Sequence, residues 1–166
     1  MQAEVANPRP SNMHIEHLAD CEEQLAMVSG WQHAEFGYLN PAVTMAQRHH
    51  RLRQCLQRDR LPLALVALSD EGHPVGAASI LPSTITHAHL TPWLSSVVVP
   101  AACRGRGVAS ALSLRAVSEA ARLGFETLHL FTPHNESLYQ RLGWATFERA
   151  HFHGLPIALM SRATRA

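Results

Sequence analysis

Arg104-Gly105-Arg106-Gly107-Val108-Ala109-Ser110 stands between a run of strand-type residues, 93–99, and an Ala/Leu-rich segment of helical periodicity, 107–123. A strand that turns through glycines into a helix start presents backbone N–H groups without intrahelical partners, at the positive end of the helix macrodipole. Such a junction suits anionic oxygens. Gly105 and Gly107 let the backbone approach those oxygens and tolerate the dihedrals of a tight turn, while Arg104 and Arg106 add charge. Residues 104–110 therefore read as a cradle for a pyrophosphate, and all seven are candidate ligands.

Two common phosphate motifs fail here. A P-loop needs Gly-Lys-Ser/Thr after four intervening residues, and no lysine follows Gly107; a dinucleotide fingerprint needs a third glycine or alanine where Ser110 stands. The order strand, R-x-x-G-x-A, helix instead resembles the acetyl-CoA signature Q/R-x-x-G-x-G/A of the GNAT N-acetyltransferases, with Arg104, Gly107 and Ala109 in its three places. A second motif follows in the right order. After Gly124 and a strand at 127–132, the segment 133–144 resembles the family's next one, with Asn135 as a cofactor contact, Tyr139 on a short helix, and Leu142-Gly143-Trp144. The resemblance spans roughly residues 60–162, is similar to small bacterial members, and at 96–107 also resembles enzymes that acetylate acidic protein N-termini.

The rest of the chain fits one enzyme domain. At 166 residues it is long enough for one good core and short for two domains. Hydrophobic residues at 46% against 16% charged argue for a folded chain, and a formal charge of +1 gives no overall drive toward nucleic acid or membrane. With no long apolar run and no signal-peptide pattern, the cytoplasm is the default expectation. Cys21, Cys55 and Cys103 are odd in number and widely spaced, so they read as reduced thiols, Cys103 as a small residue packed beside the turn rather than a nucleophile. Twelve histidines include the pairs His87/His89 and His151/His153, but no carboxylate or cysteine joins them at ligand spacing, and no metal is expected.

Along the chain, residues 1–12 read as a loose start and 13–166 as a single domain opening on a strand at 13–18. Asp20 is a candidate cap for a helix at 21–29, with a second helical or irregular piece at 31–38; Thr44 caps a basic helix to about 58 whose arginine face is expected to be solvated. Strands at 61–68 and 74–81 flank an Asp70-Glu71-Gly72 turn, and the chain closes on strands at 146–153 and 157–161 about Gly154. This order is the one the resemblance implies: an α/β (α+β) GNAT fold with a central mixed, mostly antiparallel sheet of six to seven strands, splayed between the fourth and fifth, and about four helices.

What the resemblance implies for chemistry is transfer of the acetyl group of acetyl-CoA, as cosubstrate, to a primary amine of a small molecule or peptide, by direct attack in a ternary complex. The oxyanion needs a fixed donor, and the family likeness offers a backbone N–H at Val97, Val98 or Val99. Tyr139 is the candidate general acid, since a phenol near pKa 10 lies close to a thiol near about 8.5. The base is harder to find. Deprotonating a lysine-type amine at pH 7 costs about 4.6 kcal/mol, against about 1 for an α-amine. Glu35, on the acceptor side, is the first candidate, and His87 and His89 follow. Arginines such as Arg48 or Arg51 in an acceptor groove would favour an acidic peptide, whereas a Glu35-centred pocket would favour a cationic amine. A noncatalytic acetyl-CoA-binding sensor and a histidine-based metal enzyme are the alternative classes, and the chain is compatible with a monomer or a homodimer.

Overall fold

Leu63, Leu65 and Ala67 pack into one apolar cluster while Ala64, Val66 and Leu68 pack into another, and all six are buried. Period-two alternation with both faces covered is the signature of an inner strand between two layers. In the computed structural model, which describes residues 13–84 and 87–165, this is β2 (Leu63–Ser69). It pairs antiparallel with β1 (Met13–His17) on one side and β3 (Pro74–Leu81) on the other. The β2–β3 connection is the expected hairpin, with Gly72 at φ +81 and its N–H donating to the Ser69 carbonyl at 2.9 Å.

β4 (Trp93–Val98), β5 (Thr127–Thr132), β6 (Ala145–Phe152) and β7 (Leu155–Ala163) complete one seven-stranded sheet in the order β1-β2-β3-β4-β5-β7-β6. Every neighbouring pair is antiparallel except β4 and β5. Four α-helices flank it: α1 (Leu25–Phe36), α2 (Met45–Arg53), α3 (Val108–Arg122) and α4 (Glu136–Arg141). α3 lays Val108, Leu112, Ala116 and Ala120 on one face of the sheet, where Tyr139 of α4 joins them; α1 and α2 cover the other face with Leu25, Val28 and Leu52. Each fully buried leucine in these seams contributes about 1.5–3 kcal/mol of transfer free energy.

Two local expectations are corrected. Asp20 caps no helix: a 3₁₀ turn at Glu22–Gln24 leads into a single α1 that runs through Gly30 to Phe36. Burial of Leu25, Val28, Ser29 and Gln32 on one side of α1 outweighs the roughly 1 kcal/mol penalty of an internal glycine. The basic helix ends at Arg53 rather than 58, but its start is as read, with Thr44 and Gln47 forming a reciprocal capping box. The expected loose start, residues 1–12, lies outside the described residues.

Candidate active site

β4 and β5 share one register pair, Trp93 with His129, where the His129 N–H donates to the Pro92 carbonyl at 3.0 Å. Beyond it the strands part, and a cavity of about 520 Å³ opens between them, within the range of small-molecule sites. Ser95, Ser96 and Val97 form its β4 wall, and Leu130, Phe131 and Thr132 its β5 wall. Glu35 of α1 and Arg48 and Arg51 of α2 line it from the other side.

The β4 wall is bent. Its register with β3 passes from Ser95 opposite Ser79 to Val98 opposite Ala77, so Ser96 and Val97 together face Ala78. This is a β-bulge, and Ser96 sits at φ +53, a left-handed conformation that strains a non-glycine residue. The three valines consequently differ. Val97 lines the cavity, Val98 is buried toward α1 and α2, and Val99 is half-buried and offers its carbonyl to Arg104.

Below the bulge, Gly105 and Gly107 both adopt φ +78, and Gly107 is the N-cap of α3 with no side chain capping the helix. A Cβ at either glycine would meet open space, so the requirement is conformational and the turn stays accessible. Uncapped first-turn N–H groups beside two arginines fit a pyrophosphate. Gly76 works differently. A Cβ there would lie 2.6 Å from Val108 Cγ1 and 3.2 Å from the Val98 carbonyl oxygen, so its absence lets the start of α3 sit directly on β3. Arg104 is fixed twice, by Nε donating to the Val99 carbonyl at 3.0 Å and by Nη2 at 3.3 Å from a Glu35 carboxylate oxygen. Arg106 is exposed, while Ala109 and Ser110 are half-buried in the first turn.

Tyr139 is 6% exposed yet borders the cavity, stacked edge-on against Trp144 at 5.7 Å. Burial pushes its phenol up to about 12, partly offset by the neighbouring Ser113 hydroxyl. Asn135 is exposed, lines the cavity and makes no side-chain cap to α4; its N–H donates to Thr132 Oγ1 at 3.0 Å. Cys55 also lines the cavity, but burial raises its thiol to about 11, which leaves it unreactive. Cys103 is half-buried with a free thiol.

His87 and His89 do not line the cavity. His87 Nε2 lies 2.7 Å from Glu148 of β6, its ring packed near Trp93 and Phe147, with His89 beside it. Among the described residues no group of three His, Cys, Asp or Glu side chains gathers at metal-binding distance. The arginine face of α2, expected to be solvated with an acceptor groove as the alternative, brings Arg48 and Arg51 to the cavity. Sequence reasoning missed two lining features. Tyr38 Oη meets His134 Nε2 at 3.3 Å across the rim. The Ser96 bulge carried no signal, because no glycine marks it.

Solved structures with the same fold include a GCN5-related N-acetyltransferase from Kribbella flavida, at 22% identity and TM-score 0.71, matched over 93% of this chain and 99% of that one. An aminoglycoside 6′-acetyltransferase type Ii shares 15% identity at TM-score 0.72, over 92% and 98%. The spermidine N-acetyltransferase of Vibrio cholerae, in complex with CoA and spermine, shares 13% at TM-score 0.72, over 93% and 96%. No curated protein sequence matches this chain. Among the described residues no helix is long and apolar enough to cross a membrane. The model of the acetyltransferase (GNAT) family matches residues 24–144, most of the sequence, and covers the splayed strands, the glycine turn and Tyr139 alike: the chain belongs to the GNAT acetyltransferase family.

Proposed function

We propose that this chain moves the acetyl group of acetyl-CoA to a primary amine by direct attack within a ternary complex. The observation that carries the reading is the parting of β4 from β5 around one cavity, with Glu35 of its lining 3.3 Å from Arg104 of the uncapped, glycine-spaced start of α3. Residues 104–110 and Asn135 hold the cosubstrate, the pyrophosphate resting on the α3 start and the pantetheine arm lying between the strands. That a fold neighbour is in complex with CoA and spermine supports this assignment.

In the step itself the amine nitrogen bonds to the thioester carbon, the C–S bond breaks, and CoA departs as a thiolate that takes its proton from water. Backbone N–H groups at the bulge, residues 97–99, are the donors for the developing oxyanion. Glu35, at the cavity edge, takes the acceptor's proton. Tyr139 faces the sulfur. With its phenol near 12, full proton transfer to a thiolate near about 8.5 is uphill by on the order of 5 kcal/mol, so Tyr139 acts by donating a hydrogen bond as the thiolate forms.

The test is thiol release from acetyl-CoA by the purified protein across amino acids, polyamines, aminoglycosides and short peptides. Turnover on any amine supports the reading; tight acetyl-CoA binding with no turnover on any of them favours the sensor alternative.

A further inference from the structure

The acceptor end of the cavity has a charge pattern of its own. Arg48 and Arg51 stand three residues apart on α2, so both guanidinium groups belong to one helix face, and both line the cavity. Among the described residues neither guanidinium has an ion-pair or hydrogen-bond partner, although the same residues hold nine ion pairs, six of them through other arginines. The Nε of Arg48 is buried and unpartnered. Arg48 is half-buried and Arg51 exposed, and burial first, with the neighbouring Arg51 charge second, lowers the Arg48 pKa from its ordinary value. A standing repulsion of this kind is relieved by an anion placed between the two groups.

The opposite charge is scarce. Among the described residues Glu35 is the only carboxylate lining the cavity, and it pairs with Arg104. A polyamine or aminoglycoside would bring several ammonium groups to one carboxylate and two uncompensated arginines. One amine and one oxyanion match the lining.

We propose that the acceptor is a small amine that also carries a carboxylate, of the amino-acid type, with its carboxylate held by Arg48 and Arg51 and its amine directed toward Glu35 and the bulge of β4. The cavity of about 520 Å³ must also take the pantetheine end, and the remainder has room for an acceptor of amino-acid size. This proposal rests on the acetyl-transfer reading and narrows it.

The experiment compares free L-amino acids with their carboxamides, and with spermidine as the cationic control, using the wild type, Arg48→Gln, Arg51→Gln and Arg48→Lys. The proposal expects turnover on amino acids, at least tenfold lower kcat/KM on the matching carboxamides, and KM for the carboxylated acceptor raised about ten- to hundredfold in either glutamine variant. KM for acetyl-CoA should stay unchanged, which shows that the variants fold, and Arg48→Lys should recover only part of the loss. Carboxamides or spermidine used equally well, with no effect of the substitutions, would overturn the acceptor class and leave acetyl transfer standing. Should no acceptor turn over, the transfer reading fails, and calorimetric titration of the CoA-bound protein with the same amino acids decides the site. Binding that is lost in Arg48→Gln supports it, and no binding overturns it.

Discussion

The carboxylate of Glu35 lies 3.3 Å from the guanidinium of Arg104, and that contact ties α1, on the acceptor side, to the glycine turn that starts α3. Both side chains are about half exposed, so the pair contributes at most about 1 kcal/mol to stability. Its interest is chemical, because it places the proposed base beside the proposed phosphate ligand. Glu35→Gln should lower kcat about tenfold or more at pH 7, with the melting temperature nearly unmoved. An unchanged kcat would reduce Glu35 to a structural tie.

Tyr139→Phe keeps the ring that packs on Trp144 and removes only the hydroxyl. We expect kcat to fall about a hundredfold, with little change in either KM. Since burial raises the phenol to about 12, Tyr139 stays protonated throughout an ordinary assay range, and the alkaline limb of the wild-type profile should show no loss assignable to it through about pH 10. A variant as fast as the wild type would mean that the Tyr139 hydroxyl gives the leaving thiolate no stabilising hydrogen bond.

Gly76 is far from the turn in sequence yet sets its height. Gly76→Ala forces a Cβ to within 2.6 Å of Val108 Cγ1, and valine's branched side chain has little freedom to step aside. Expected outcomes are a stability loss of about 1–3 kcal/mol by urea titration and a raised KM for acetyl-CoA, because the helix start is displaced. Gly107→Ala tests the same site by another route. There the added Cβ meets open space and the cost, about 1–2 kcal/mol, comes from φ +78 alone. If Gly76→Ala left KM for acetyl-CoA untouched, the seating of α3 on β3 would not govern the turn.

How far the sequence reached depends on the range of the interaction concerned. The Thr44 cap, the hairpin at Gly72 and the helix that follows Gly107 are specified within a few residues, and each is found where local chemistry puts it. The parting of β4 from β5 came from the family likeness, since nothing in either strand's composition encodes it. Long-range placement was not legible. Arg48 and Arg51 look like a solvated face until α2 is laid over the cavity, and His87 looks like a base until Glu148 of β6 claims it. The bulge at Ser96 is the sharpest case: a serine at φ +53 is held there by the β3 register on either side, and its own side chain gives no hint.

Glu119 offers a test of stability away from the site. Only 4% exposed, it collects Arg115 Nε at 3.1 Å, Arg122 Nη2 at 2.7 Å and His17 Nε2 at 3.3 Å, joining α3 to β1. Burial alone would raise its carboxyl pKa, but the hydrogen bonds from Arg122, Arg115 and His17 outweigh that and leave it lowered. A folded-state pKa below the unfolded one means that the unfolded chain binds the proton first. The stabilisation is therefore fully present above about pH 4.3 and is lost as pH falls through the folded value. In Glu119→Gln the size is kept while the charge and one of the two acceptor oxygens are lost, and a loss of about 1–3 kcal/mol is expected at pH 7. Urea titrations from pH 7 down to about pH 3 should show the gap between wild type and variant narrowing only at the acidic end. Two parallel curves across that range would show that the Glu119 charge contributes nothing to folding, and that the cluster holds α3 on β1 by packing alone.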